Sequence, residues 1–587
     1  MKMKNLIYAV FFVALIAVAG CDNKLDINPK QVLDENILNK PEDVDGFLTA
    51  AYARLTDVGS IDPPFQSKLF GSIRSDDSYK GGGGTWDLGG WHDMELFTNL
   101  NPNGWPIDFP WYACYQIIGR CNTAIRAAEK FTPEQMPNKN SRIGEAIFIR
   151  SYVLLTLKQL FKYVPYIDEK VVGSTAEFEA IPNRDLNQPN DLYLWQHIVD
   201  DFKKAEDLLP ATQPDKGRVD KNAATAMVAK SLLFMAYEQD ERNQVVNINK
   251  PRLEEALTYV NKLTTQEGSK VGLEADFANN FQPQFDNNTK ESIWEFQFSL
   301  NDGSAAGGRI NRNEGLFHPW NWAGFICCGF HHISYSTANA FKTGANGLPL
   351  FDTYNNDAYN VDNASTFFGR YTWDPRFSHT IVAPGQPYKY NPNLLFSRDA
   401  IRNGGDYGYL KSQKELVRPD CGCLLYDGWQ FNSMNQRVIR YDEVLLWQAE
   451  ILIQLDRVND ALVPINKVRN RAANSTGLLK MANGSSVMNY KIETYKPGVN
   501  CTWTKEFAWQ ALQWETRLEM AGEGRRFFDL MRWGILEPTM NAYINVEKGR
   551  RAYYAPAHFT AGKHEFLPIP QNQMNWAKGN YTQNAGY

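Results

Sequence analysis

Apolar residues recur at helical spacing along much of this chain. From Pro41 to Asp57, Val44, Phe47, Leu48, Ala51 and Leu55 share one helical face, and Pro41 sits in the first turn after Asn39. The same period predicts helices over about 110–131, 141–162, 190–209, 221–239 and 252–264. These recur in pairs joined by short turns. The clearest pair runs from Tyr441 to Ala473: Val444, Leu445, Ala449, Leu452 and Ile453 fill one helix, Asp456-Arg457 turns the chain, and Ala461, Leu462, Ile465 and Val468 continue. A repeat of about 34 residues with small Ala at the turn-facing positions is tetratricopeptide-like geometry. Ala226 to Leu263 is a looser copy, with a long connector around Glu238–Lys250. The expected fold is mostly α, a scaffold of several such pairs.

The helical period fades over about 59–109 and 271–440, where Gly, Asn, Asp and aromatics dominate. Ile293-Trp294-Glu295-Phe296-Gln297-Phe298 alternates like a strand, so short β-strands are expected in the larger region. The run Gly81–Gly84 is not a phosphate loop, because no Lys-Ser/Thr follows it. Long loops on a helical base carry function more often than the base does.

Composition sharpens this picture in one respect. A net charge of −5 and 22% charged residues give no basic face for nucleic acid, but 13% aromatics, with 16 Trp and 28 Tyr, are more than a core needs. Trp86, Trp91, Trp105 and Trp111 gather in or beside the first loop region, and Trp320 and Trp322 in the second. A sugar ring stacks its C–H face on a flat aromatic, while its hydroxyls need Asn, Asp, Gln or Arg as forked partners. The candidate ligand residues are therefore Trp86, Trp91, Trp105, Trp320 and Trp322, with Arg74, Asp77 and Asn101.

At the N-terminus, Lys2 and Lys4 precede an apolar run from Leu6 to Ala19, too short to span a bilayer, which reads as a signal peptide over 1–20. It ends Val18-Ala19-Gly20-Cys21, a bacterial lipobox pattern that makes Cys21 the expected site of acylation, palmitate included. More than one acyl chain gives lasting attachment, at ~0.8 kcal/mol per buried CH₂. Residues 21–40 read as a flexible tether; at ~3.3 Å per residue it reaches about 60 Å. The remainder, 41–587, reads as a single domain, with scaffold over about 41–58, 110–265 and 441–535 and the loop face between.

Two stretches invite a chemical reading. Cys327-Cys328 with His331-His332 has metal-ligand residues, but adjacent cysteines rarely share one tetrahedral ion and no Cys-x-x-Cys pair exists; Cys421-Gly-Cys423 has the same standing. No metal site is assigned, and no cofactor is implied beyond leaving a structural calcium ion open. Trp514 to Trp533, WETRLEMAGEGRRFFDLMRW, packs Glu515, Glu519, Glu523 and Asp529 against Arg517, Arg525, Arg526 and Arg532. Local pairing, Arg525–Asp529 and Arg526–Asp529, is expected to make it a structural keystone in place of a catalytic cluster.

Several motifs, in order, resemble the SusD-like (RagB) family of nutrient-binding outer-membrane lipoproteins. They are Leu25-Asp26-Ile27-Asn28-Pro29 after the lipobox; Gly144-Glu145-Ala146 with Phe148, Arg150, Phe161 and Val164-Pro165; Asp374-Pro375-Arg376; and Arg440 to Leu446. Glu515, Arg517, Glu519, Glu523-Gly524, Arg526, Asp529-Leu530 and Arg532-Trp533 fit best, and Leu567 to Pro570 and Gln583 to Tyr587 close the pattern. Lys162 stands where Gly is usual, Thr516 replaces Arg and Ala585 replaces Pro. The resemblance implies about four tetratricopeptide-type pairs and a variable loop face that binds an oligosaccharide. It also implies a SusC-like TonB-dependent barrel transporter as partner and a lipid-anchored place on the outside of the outer membrane. No enzyme activity is expected: no catalytic motif stands out. The competing readings are the same architecture binding peptide or another nutrient, and a surface glycoside hydrolase.

Overall fold

The computed structural model describes residues 40–56, 68–185 and 192–587, except 288, 306 and 428. The expected signal peptide, Cys21 and the tether up to residue 39 lie outside the described residues.

Eight helices among the described residues form the scaffold: α1 Pro41–Thr56, α2 Trp105–Glu129, α3 Lys139–Phe161, α4 Leu192–Leu208, α5 Lys221–Ala236, α6 Lys250–Thr264, α7 Tyr441–Gln454 and α8 Val458–Asn474. Each packs on its neighbours in chain order, making four pairs in one continuous stack. The sequence pattern explains who sits where. α4 and α6 bury a single stripe, whereas α3, α5 and α7 are buried on nearly every side, and the charged residues this encloses, such as Arg150 on α3 and Asp442 on α7, are ion-paired. The turn between α7 and α8 holds Asp456 at φ +62°, and the C-terminal end of α3 holds Lys162 at φ +59°. A positive φ at Lys162 accounts for the glycine expected there, since glycine adopts it without a Cβ clash.

Two further helices, α9 Lys505–Glu519 and α10 Arg526–Arg532, cap the stack, with α9 lying on α7 and α8. The loop regions are ordered by short strands: β1 Ser78–Gly81, β2 Ser292–Phe296, β3 Phe330–Ile333, β4 Ile381–Val382, β5 Lys411–Ser412, β6 Leu424–Asp427, β7 Trp429–Asn432 and β8 Gln436–Arg440. A four-stranded sheet runs β1-β3-β5-β4, antiparallel throughout, with Ser78 opposite Ile333 and Lys411 opposite His332. The alternating segment at 293–298 pairs β2 with β8, and β6 and β7 form a hairpin.

The charged stretch at 514–533 is the hub of the fold, but by long-range pairing. Arg376 donates to Asp374 (2.7 Å), Glu515 (2.9 Å) and Glu519 (2.9 Å), all fully buried. Arg471 joins Glu519 to Glu291, and Arg440 joins Asp442 (2.5 Å) to Glu523 (2.8 Å). The expected local pairs do not form. Asp529 pairs with Arg532 (2.8 Å), which also grips Glu450 (2.9 Å), while Arg526 reaches across the chain to Asp76 (2.8 Å). Arg525 and Arg526 at the start of α10 are taken by acids on other elements, Glu443 and Asp76, while Gly522 (φ +78°) and Gly524 (φ +75°) break the chain between α9 and α10. A Cβ on Gly71 would come within 1.8 Å of the Gly524 carbonyl oxygen, so the segment Lys68–Ile73 passes directly against this break.

Candidate ligand-binding face

A surface patch is assembled from four separated parts of the chain. Trp86, 74% exposed, stands at the end of the glycine run that follows β1. Asp87 accepts the Gly83 N–H (2.9 Å) and ion-pairs with Arg402 (2.6 Å). The Arg402 guanidinium in turn lies 4.5 Å from the ring centre of Trp320. Close approach explains the glycines: a Cβ on Gly83 would meet the guanidinium at 2.8 Å, and one on Gly84 would meet Trp86 Nε1 at 3.0 Å. The buried Lys80 amine holds the run from below by donating to the Gly84 carbonyl (2.8 Å) and to that of Asp87. Burial pulls that amine down to about 8.

The loop carrying Trp320 is tied down on both sides. Trp320 N–H donates to the Ala400 carbonyl (2.9 Å), and Gly82 N–H donates to the Gly329 carbonyl (2.9 Å). Gln430 on β7 accepts from the Ile326 and Cys327 N–H groups, both at 3.0 Å. On β6, Tyr426 is 47% exposed, and its hydroxyl would lie 3.9 Å from a Cβ on Gly324. The patch thus offers two indole rings and a phenol beside a guanidinium, a carboxylate and the Asn403 amide, which lies 3.7 Å from the Cβ position of Gly84. This combination matches the apolar face and hydroxyl rim of a sugar.

The structure divides the sequence-derived candidates. Trp86 and Trp320 share the patch. Trp322 is half-buried on its flank, edge-on to Tyr388 (5.4 Å) and Phe396 (5.3 Å) in a small apolar cluster of its own. Trp105 is 41% exposed at the start of α2 and Asn101 is exposed just before it. No hydrogen bond, ion pair or ring contact among the described residues joins either to Trp86, Trp320 or Arg402.

Three candidates are corrected. Trp91 is fully buried between Phe317 and Phe330 and is a core residue. Arg74 is buried with its guanidinium 4.3 Å from the Phe527 ring centre, donating to the His564 carbonyl (3.0 Å). Asp77 is buried and accepts from Ser72 Oγ and Gly522 N, both at 2.8 Å. A loop rich in Gly and Asp resembles a surface segment in sequence, yet residues 68–82 thread the interior with their polar groups paired: Asp76 and Asp77 by the 514–533 hub, Lys68 by Glu314 and Glu415, and Tyr79 by Glu547. Sequence reasoning missed Arg402, Asn403 and Tyr426. The signal for the first two was the Arg402-Asn403-Gly404-Gly405 turn, which offers two planar forked side chains at a bend; Tyr426, on β6, had no such signal.

The metal-like cluster dissolves into other chemistry. Cys327 is bonded to Cys328, and Cys421 to Cys423. His331 turns to Ser412 Oγ (3.1 Å) and His332 to the Gly329 carbonyl (2.9 Å), both buried and pulled toward neutrality by burial. Glu291, Asp442 and Glu519 do bring carboxylate oxygens within 4.8 Å of one another, but the Arg440 and Arg471 guanidinium groups bridge them, which makes the group an ion-pair lattice.

Comparison with known proteins matches this architecture. The family model described as "SusD family" covers residues 290–587, more than half the chain. The chain belongs to the SusD family. A second family model, described as "Starch-binding associating with outer membrane", covers residues 24–233. SusD-like protein P2 of Formosa agariphila is 22% identical over 592 residues, spanning 98% of this chain and 99% of the relative. A SusD superfamily protein from Bacteroides vulgatus superposes with a TM-score of 0.65 at 19% identity, over 94% of this chain and 99% of that one. Surface glycan-binding protein A from Bacteroides thetaiotaomicron, solved with laminarihexaose, gives a TM-score of 0.64 at 19% identity, over 93% of this chain and all of the other. These likenesses show that the SusD fold spans nearly the whole molecule. No described helix is long and apolar enough to cross a membrane.

Proposed function

We propose that this protein is a lipid-anchored receptor on the outer face of the outer membrane. It binds an oligosaccharide or polysaccharide nutrient at the Trp86–Trp320 patch and passes it to a TonB-dependent barrel transporter. The patch carries the reading: the exposed Trp86 indole, the half-buried Trp320 indole and the exposed Tyr426 phenol surround a guanidinium–carboxylate pair fixed in place before any ligand arrives. Rigid platforms bind with less ordering cost than flexible ones. Several relatives support a glycan as ligand, since one is titled a laminarin-binding SusD-like protein and another was solved with laminarihexaose.

The protein acts by binding alone. The densest carboxylate cluster, around Glu515 and Glu519, is buried and fully engaged by arginines, so a glycan cannot meet a free acid and base pair there. Cys21 supplies the anchor through its acyl chains.

The test uses the mature protein against a panel of soluble α- and β-glucans, by affinity gel and calorimetry, with reducing-sugar release measured in parallel. Micromolar-to-millimolar binding without sugar release is expected. Release above a no-protein control overturns the non-catalytic reading, and no binding to any glycan overturns the ligand class. In cells, Cys21→Ala is expected to move the protein out of the membrane fraction.

A further inference from the structure

The two disulfides join residues that are adjacent or one apart in sequence, Cys327–Cys328 and Cys421–Cys423. A cross-link gains stability from the chain entropy it removes on unfolding, and that gain is smallest for the smallest loops. Tying the fold together is therefore the weakest use of either bond. Their positions suggest another. Cys421–Cys423 stands at the base of the β6–β7 hairpin, where Leu424 N–H donates to the Cys421 carbonyl (3.1 Å) and Ser433 N–H to the Cys423 carbonyl (3.0 Å). That hairpin carries Tyr426 outward and Gln430 inward. The Gln430 side chain is the anchor that holds the N–H groups of Ile326 and Cys327.

Cys327–Cys328 lies on the same face. Ile326 is 45% exposed, Cys327 is half-buried, and the Cβ position of the next residue, Gly329, lies 3.4 Å from both the Trp320 and the Arg402 Cβ atoms. The disulfide thus belongs to a segment, 326–329, that the Gln430 side chain holds on one side and that packs at Gly329 against Trp320 and Arg402. Joined sulfurs present a compact, polarisable, apolar surface with no proton to donate, whereas two thiols are larger, mobile and weakly polar.

We propose that the Cys327–Cys328 disulfide is a redox-dependent part of the ligand platform, and that reducing it weakens glycan binding by loosening residues 326–329 beside Trp320. The inference rests on the patch being the glycan site. The step is a thiol–disulfide exchange with a dithiol: the dithiol gives up two electrons and two protons and becomes a disulfide, while the Cys327–Cys328 bond breaks to two thiols. Outside the cytoplasm the oxidised form is the one favoured.

The experiment takes the mature protein, purified without reductant, and a glucan that binds it in the panel above. Binding is measured before and after treatment with dithiothreitol, with alkylation and peptide mass spectrometry reporting each cysteine. A loss of tenfold or more in affinity on reduction, with an unchanged melting temperature, is expected. The double variant Cys327→Ser/Cys328→Ser should match the reduced protein, and Cys421→Ser/Cys423→Ser should still respond to reductant. Recovery of Cys327 and Cys328 as free thiols from the untreated protein overturns the proposal. So does equal affinity in both states, which leaves the glycan reading standing. A melting temperature that falls in step with affinity shows a structural staple and also overturns it. Failure of the oxidised protein to bind any glycan removes both this inference and the reading beneath it.

Discussion

Glu519 sits between Arg376 at 2.9 Å and Arg471, with none of its surface exposed. Burial alone would push its carboxyl up, but Arg471 and Arg376 hold it well below the usual range. Glu519→Ala leaves two buried guanidinium groups short of a partner, and a loss of ~3–5 kcal/mol is expected in denaturant unfolding. Asp529→Ala should cost less, because Arg532 keeps Glu450. Asp76 gives a pH signature for the same hub. Burial opposes its charge, yet Arg517 and Arg526 bring it down from 3.8 to about 2. A carboxylate depressed in the folded state contributes stability that is complete above pH 3.8 and is lost as pH falls through 2. It is worth on the order of 2 kcal/mol. Urea midpoints followed from pH 5 to pH 2 should fall steeply for the native protein and more gently for Asp76→Asn. The tryptophans separate cleanly at this scale. Trp91→Ala should cost ~3–5 kcal/mol of stability, as for other large core truncations. Trp86→Ala and Trp320→Ala should leave the melting temperature nearly unchanged while weakening glycan binding in calorimetry. A stable Trp91 variant, or an unstable Trp86 one, reverses the assignment.

At the level of elements, helices were legible because their signal is local. Val44, Leu48 and Leu55 announce a stripe, and the stripe finds a neighbour. The caps the structure shows are local too: Asp220 accepts the Ala223 N–H at the start of α5, and Thr504 accepts that of Phe507 at the start of α9. The loop face was legible only in outline. Residues 74–77 carry the composition of an exposed loop, and nothing nearby in sequence shows that their partners are Arg517, Gly522 and Arg526. The patch posed the same problem, since Asp87 and Arg402 meet only after 315 residues of chain have folded back. Two-residue strands such as β4 and β5 have no period to read, and only their tertiary pairing defines them.

At the level of the whole molecule, the stack of helix pairs is a rigid base and the loops are its working surface. The two are joined by the ion-pair hub, so rigidity reaches the patch through β1 and the glycine run rather than through the helices alone. Asp77 accepts from Gly522 N across 445 residues, and the Asn584 amide donates to the Phe161 carbonyl (2.8 Å) across 423. These contacts close the fold between its N-terminal third and its C-terminal segments. Within residues 68–81, the Asp76 carboxylate has its guanidinium partners, and Asp77 one of its backbone donors, only in the 514–533 segment. The molecule therefore proofreads its own length. A product truncated before that segment leaves Asp76 without its guanidinium partners and Asp77 without the Gly522 N–H, and is expected to be cut faster than the full chain in limited proteolysis.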